Sequence, residues 1–157
     1  MHIPLRAPFR FTHTLNFLRA FSPMSGEQRI GRDTLVKSWI VRGKPVTVSM
    51  KQDGERLTCA FDARLDAATE AALRDRVAAF VSADEDLTEL YALAARDERF
   101  APVADKLHGF HHPKFATPFD PGADRAALER RGKEYGAWIG HWALYLWAAT
   151  LSSTVAA

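Results

Sequence analysis

A single cysteine, Cys59, occurs in 157 residues. One thiol can form neither an internal disulfide framework nor a multi-cysteine metal site, and it suits a reducing compartment. Neither sign of charge dominates: 21 Lys and Arg against 19 Asp and Glu leave a formal +2. That balance permits a nucleic-acid partner without arguing for one, because an electrostatic footprint is a clustered basic face. Long apolar runs are scarce. The longest, 137–151, falls short of the ~20 residues a spanning helix needs and contains His141. The opening "MHIPLRAPFRF" sets no apolar core behind its basic residues, so no secretory leader is expected. These absences predict a cytoplasmic protein with no membrane partner. Gly-x-Gly-x-x-Gly, P-loop and Gly-x-Ser-x-Gly patterns are missing, as are internal repeats and low-complexity tracts.

What is present reads as one domain, or one and a fraction. "PFRFTHTLNFLRAF" predicts a short strand, with Phe9 and Phe11 alternating about Arg10, and then a helix carrying Leu15, Leu18 and Phe21. Pro23 and Gly26 break that pattern. Three strands follow. "TLVKSWIVRG" ends at Gly43-Lys44-Pro45; "VTVSMKQ" sets Val46, Val48 and Met50 on one face; and Asp53-Gly54 signals a hairpin returning through "RLTCAF". Leu57, Cys59 and Phe61 share the buried face of that last strand, which makes Cys59 a small core residue rather than a nucleophile.

From Asp66 the period turns helical. Asp66 is the expected N-cap of a helix whose core stripe is Leu73, Val77, Phe80 and Val81. Asp86 with Glu89 matches a capping box, opening a helix with Leu87, Leu90, Tyr91 and Ala94. A further short helix is expected within 99–107, and "HGFHHPKFATPFDPGAD" reads as loop. The expected fold class is α+β, a small antiparallel sheet with helices on one face. The expected domains are 1–83, 84–118 and 119–157.

No chemical constellation emerges from spacing. His108, His111 and His112 lie near Asp105 and Asp120, but no helix register places two of these histidines four apart, and solvated loop histidines are expected rather than a metal site. Asp53, Asp62, Asp66, Asp84 and Asp86 sit where turns and helix starts use carboxylates, so no general acid/base pair is nominated. No cofactor is implied. Gly132, Gly136 and Gly140 recur every four residues and would line one helix face, at ~1 kcal/mol each against alanine, so either something packs closely there or the helix begins later.

Several segments, in order, resemble the DNA-3-methyladenine glycosylase II family. "APFRFTHTLNFLRAF" and "RLTCAF" match the family's opening strand, Leu-rich helix and sheet. Asp86, Leu87, Leu90, Tyr91, Leu93 and Ala94 match its Asp-Leu-x-x-Leu/Phe-Tyr-x-Leu-Ala helix. Gly109, Pro113, Pro118 and Phe119 match a Gly/Pro segment ending in Pro-Phe, and Ala143, Tyr145, Leu146 and Trp147 match the signature of the family's last helix. The resemblance implies an N-terminal domain like one half of a TATA-binding-protein fold, plus a remnant of the helical domain.

The departure lies between those matches. In the family, Pro-Phe leads into a helix-hairpin-helix whose turn binds DNA phosphate, and then to an Asp that assists cleavage of the glycosidic bond of a flipped alkylated base. Here Phe119 is followed by Asp120-Pro121-Gly122-Ala123-Asp124 and almost at once by the final segment. No residue matches the hairpin turn or the catalytic Asp. The resemblance thus implies an internally deleted homologue without excision activity and with at most weak binding to double-stranded DNA. Arg125, Arg130, Arg131 and Lys133 are the candidate DNA contacts. A competing expectation is an interaction module. "GAWIGHWALYLWAATL" is apolar almost all round, so Trp138, Trp142, Tyr145 and Trp147 must meet the helices of 86–107, a second copy or partner, or solvent.

Overall fold

The computed structural model describes residues 1–21, 26, 28–114, 133–138, 140–142 and 144–145. They fall in two compact units. One comprises Met1–Glu85 with Gly109–Lys114; the other comprises Asp86–His108 and the C-terminal segment.

The first unit is built on five antiparallel strands: β1 (His2–Pro4), β2 (Gln28–Ile30), β3 (Thr34–Val41), β4 (Lys44–Asp53) and β5 (Arg56–Phe61). Their order is β1-β5-β4-β3-β2. The helices α1 (Phe11–Ala20) and α2 (Ala67–Val81) belong to the same unit. Register follows the alternation in the sequence. Leu35 pairs with Met50 and Met50 with Cys59, so one row of buried side chains crosses three strands. Both helices meet this face. Phe80 of α2 packs edge-on against Trp39, and the Phe11 N–H at the start of α1 donates to Gln52 Oε1. The fold class is therefore the expected one: α+β, with an antiparallel sheet and helices on one face.

The differences from the pattern reading have local causes. No strand forms over Phe9–Phe11; the first strand is His2–Pro4, and Phe11 already begins α1. The Gln52 side chain is the reason. Its Oε1 accepts from Phe11 N–H at 2.8 Å and its Nε2 donates to the Phe9 carbonyl at 3.0 Å. One carboxamide thus supplies the donor and acceptor that a neighbouring strand would offer. It also satisfies an orphan N–H of a helix whose N-cap, Arg10, makes no side-chain cap bond. The β3–β4 turn is Arg42-Gly43, and Lys44 and Pro45 belong to β4. Proline is tolerated there because β5 pairs with β4 only from Val48 onward. Edge strand β2 carries no strong period and was not expected.

Asp66 caps α2 as expected, accepting from Thr69 N–H at 2.8 Å, and Leu73, Val77, Phe80 and Val81 are buried. Segment 109–114 lies along this unit as a strap. Its Gly109 carbonyl accepts from Arg10 N–H, and its Lys114 N–H donates to the Phe80 carbonyl. Gly109 has φ +85°, and a Cβ there would stand 3.0 Å from Arg10 Cγ and 3.1 Å from Arg10 N, so only glycine fits this approach without displacement.

The second unit contains α3 (Thr88–Ala94), α4 (Ala101–Lys106), a 3₁₀ segment over Lys133–Trp138, and helical residues at 140–142 and 144–145. α3 packs against α4 and against the 3₁₀ segment. The expected capping box is replaced by a tighter turn: Asp86 Oδ1 accepts from the Thr88 N–H and hydroxyl, while Glu89 turns to Trp138. Among the described residues, no helix is long and apolar enough to cross a membrane.

Candidate functional site

Aromatic side chains organise the second unit. Phe100, just before α4, meets Tyr135 edge-on at 5.4 Å, and Tyr135 stacks on Trp142 at 5.5 Å. Tyr145 completes the group, 6.2 Å from Phe100, with its hydroxyl 3.2 Å from that of Tyr91. Phe100, Tyr135, Trp142 and Tyr145 are all buried. Offset and edge-on pairs of this kind add to the burial of large ring areas.

Two carboxylates fix the polar ends of the cluster. Asp97 Oδ1 accepts from the N–H groups of Arg99 and Phe100, shaping the turn into α4, while its Oδ2 accepts from the Tyr135 hydroxyl at 3.2 Å. Glu89 Oε2 accepts from Trp138 Nε1 at 2.7 Å. Trp142 Nε1 is buried with no partner among the described residues. Asp97 escaped the sequence reading, although an Asp ahead of Phe100 and of Pro102, which sits in the first turn of α4, is a turn-and-helix-start signal.

Of the aromatics singled out in the sequence, Trp142 and Tyr145 are brought together with Phe100, and Trp138 is half-buried beside Glu89 and His141. Trp147 lies outside the described residues. So do Arg125, Arg130, Arg131 and the side chain of Lys133. The glycine face is not formed as one regular helix: Gly136 has φ 49° and ψ −119°, which breaks the helical path inside the 3₁₀ segment. Among the described residues, no atom lies within 4 Å of a Cβ built at Gly136 or Gly140, so none of them packs closely on either glycine. Gly132 lies outside the described residues.

The histidines do not converge. His108 is exposed and stacks on Tyr91 at 4.7 Å. His111, expected to be solvated, is fully buried, because its ring nitrogens meet the carbonyls of Ser82 and Pro8 at 2.8 and 2.9 Å. The His112 carbonyl accepts from the Ser82 hydroxyl. Among the described residues no group of three His, Cys, Asp or Glu could hold a metal ion. Cys59 is buried in the sheet, and burial pushes its thiol up to about 11, the opposite of nucleophile activation. The Asp66 carboxyl is held below its ordinary range by the Thr69 backbone N–H and hydroxyl, with Lys44 assisting. In the exposed pair of Asp33 and Lys51, 2.7 Å apart, the carboxyl of Asp33 is held below its ordinary range and the ammonium of Lys51 above its own, mainly through their hydrogen bond.

No protein-family model and no curated protein matches this chain. Among solved structures it is similar to a 3-methyladenine DNA-glycosylase from Archaeoglobus fulgidus, with a TM-score of 0.60 and 14% identity. The match covers 74% of this chain but 39% of that one, so the chain spans about two fifths of its structural relative. At this identity the likeness is one of architecture: the chain has a DNA-glycosylase-like α+β fold.

Proposed function

We propose that this protein is a shortened homologue of a DNA-3-methyladenine glycosylase that has lost base excision and retains at most weak DNA binding. The observation that carries this reading is the fold likeness to a 3-methyladenine DNA-glycosylase over 74% of this chain. The sequence supports it from another side. Segments resembling both ends of the family stand in order, and between Phe119 and Tyr135 nothing matches the hairpin turn or the catalytic Asp. Residual affinity would rest on phosphate contacts from Arg125, Arg130, Arg131 and Lys133, and would weaken steeply with salt as counterions are released.

The direct test is release of methylated bases from alkylated duplex DNA. Release at background level is expected; release that co-purifies with the protein overturns the reading. Binding to a duplex at two salt concentrations tests the second part, with salt-independent binding as the adverse result. Self-association through Trp138, Trp142, Tyr145 and Trp147 draws less support, because Trp142 and Tyr145 are already buried. Half-buried Trp138 is the feature that favours it. A monomer at tens of micromolar in sedimentation would dismiss it.

A further inference from the structure

The strap 109–114 is tied down by an arrangement that dictates a charge state. His111 is fully buried, and both of its ring nitrogens lie at hydrogen-bond distance from carbonyl oxygens, Nδ1 from Ser82 at 2.8 Å and Nε2 from Pro8 at 2.9 Å. A carbonyl oxygen only accepts. A neutral imidazole carries one N–H and one lone pair, so it satisfies one of these partners and turns a lone pair on the other. Both bonds exist together only when both nitrogens carry protons.

The surroundings are consistent with a cation. The Phe9 ring lies 4.5 Å from the imidazole, centroid to centroid, with planes tilted 38°. An aromatic face attracts positive charge, more strongly where water is excluded. The Ser82 carbonyl belongs to the C-cap of α2, where the helix dipole is negative. Burial of the ring opposes the charge, and two charge-assisted hydrogen bonds offset that cost.

We infer that His111 is a buried imidazolium that latches the strap 109–114 to the loop at Pro8 and the end of α2, and that the latch opens as pH rises. The latch joins three stretches remote in sequence: the loop before α1, the α2 terminus and the strap. Its neighbours reinforce the same join. The Ser82 hydroxyl donates to the His112 carbonyl at 2.6 Å, and Lys114 Nζ stands 3.6 Å from Glu85. Among the described residues, the other titratable and charged groups beside these contacts are Arg6 and Arg10 on the loop, His13 on α1, Asp84 and Glu85 after α2, and His112 and Lys114 on the strap; further along, α1 carries Arg19 and α2 carries Glu70, Arg74, Asp75 and Arg76. His13 and His112 are the two whose titration must be told apart from that of His111.

The sign follows from linkage. In the unfolded chain a histidine is mostly neutral above about pH 6.5. If the folded chain still holds that proton, the folded state binds more protons than the unfolded one, and stability falls as pH rises.

Two-bond proton–nitrogen spectra of the imidazoles in the full chain, followed from pH 5.5 to 9, read the charge directly. At pH 7.5 His111 is expected to show both nitrogens protonated. A single protonated nitrogen on His111 at that pH overturns the proposal. Hydrogen exchange of the Arg10 and Lys114 amides, which bond to the two ends of the strap or its contacts, reads the latch itself. After correction for intrinsic rates, their protection is expected to fall at least tenfold between pH 7 and 9, with amides in β4 unchanged. Equal protection at both pH values sinks the latch. In His111→Gln the pH dependence of strap protection is expected to disappear, whereas His13→Gln and His112→Gln keep it. Loss of the dependence in either of those two instead assigns it elsewhere. The spectra of the unmodified protein decide the charge even if His111→Gln does not fold.

Discussion

The two units solve the same problem with different materials. In the sheet unit, aliphatic side chains interlock across a regular face: Leu35, Val48, Met50 and Leu57 are fully buried, with Leu73 and Val77 of α2 buried in the same unit. In the helical unit the burden falls on a few large rings whose polar ends must also find partners, among them Tyr91, Tyr135, Trp138 and Tyr145. The first arrangement tolerates imprecision in any one contact, since dispersion is shared over many atoms. The second depends on the geometry of individual hydroxyl and indole groups. A periodic pattern can announce the first kind of core but not the second.

That contrast can be broken most forcefully at Trp142. Trp142→Ala is expected to destabilise the helical unit by about 3–5 kcal/mol, as large-to-small changes of buried rings do, read as a lower urea midpoint of the 222 nm signal. Leu73→Ala in the sheet unit is expected to cost about 2–5 kcal/mol, read at 218 nm. Equal tolerance of both changes would erase the distinction. Gly109→Ala should come next, at more than about 1 kcal/mol, because φ +85° and the 3.1 Å approach to Arg10 N both resist a side chain. A thermal midpoint unchanged from the parent would show that the strap relaxes freely.

Smaller effects sharpen the comparison. Tyr91→Phe removes one hydroxyl contact and is expected to cost about 0.5–1.5 kcal/mol, visible in tryptophan fluorescence during unfolding. At Asp66 the folded carboxyl lies below its ordinary value, so its contribution is present above the ordinary Asp range near pH 4 and fades as pH falls below it. Asp66→Ala should therefore lower the melting temperature at pH 7, with the gap to the parent narrowing as pH falls below the ordinary Asp range. Cys59, raised to about 11, should resist thiol reagents at pH 8 until denaturant is added. Folded stability should decline as pH climbs from about 9 toward 11, since the unfolded thiol releases its proton first.

Much of the sheet unit was legible in the sequence. Strands β3 to β5 show alternation, Asp66 is a plain N-cap, and the α2 stripe falls at helical spacing. What was hidden depends on partners distant in the chain. Phe9 to Phe11 alternate like a strand, yet a residue more than forty positions away captures them. Lys37 alternates onto the buried face of β3, where its ammonium lies 5.7 Å from the Phe80 ring centroid; pattern reading has no place for a charge there. His111 sits in a stretch with every compositional mark of a solvated loop, and only tertiary packing buries it. In the helical unit Trp138, Trp142 and Tyr145 were legible as a group, but Phe100, Tyr135 and the polar partners were not, because Asp97 looks like an ordinary surface carboxylate and Glu89 like the second half of a capping box.

The Gln52 carboxamide has a consequence for how such chains diverge. A main-chain ladder tolerates almost any side chain, because every residue brings the same donor and acceptor. Here part of that generic grammar has been delegated to one side chain, so the Phe9 carbonyl and the Phe11 N–H at the entry to α1 depend on a single codon. Gln52→Glu would keep an acceptor for Phe11 but present an oxygen to the Phe9 carbonyl, and Gln52→Leu would leave both main-chain groups empty. A relative that lost this glutamine would have to extend β1 or find another cap. The path of residues 9–11 should therefore vary with the residue at position 52 more than with the residues of the path itself.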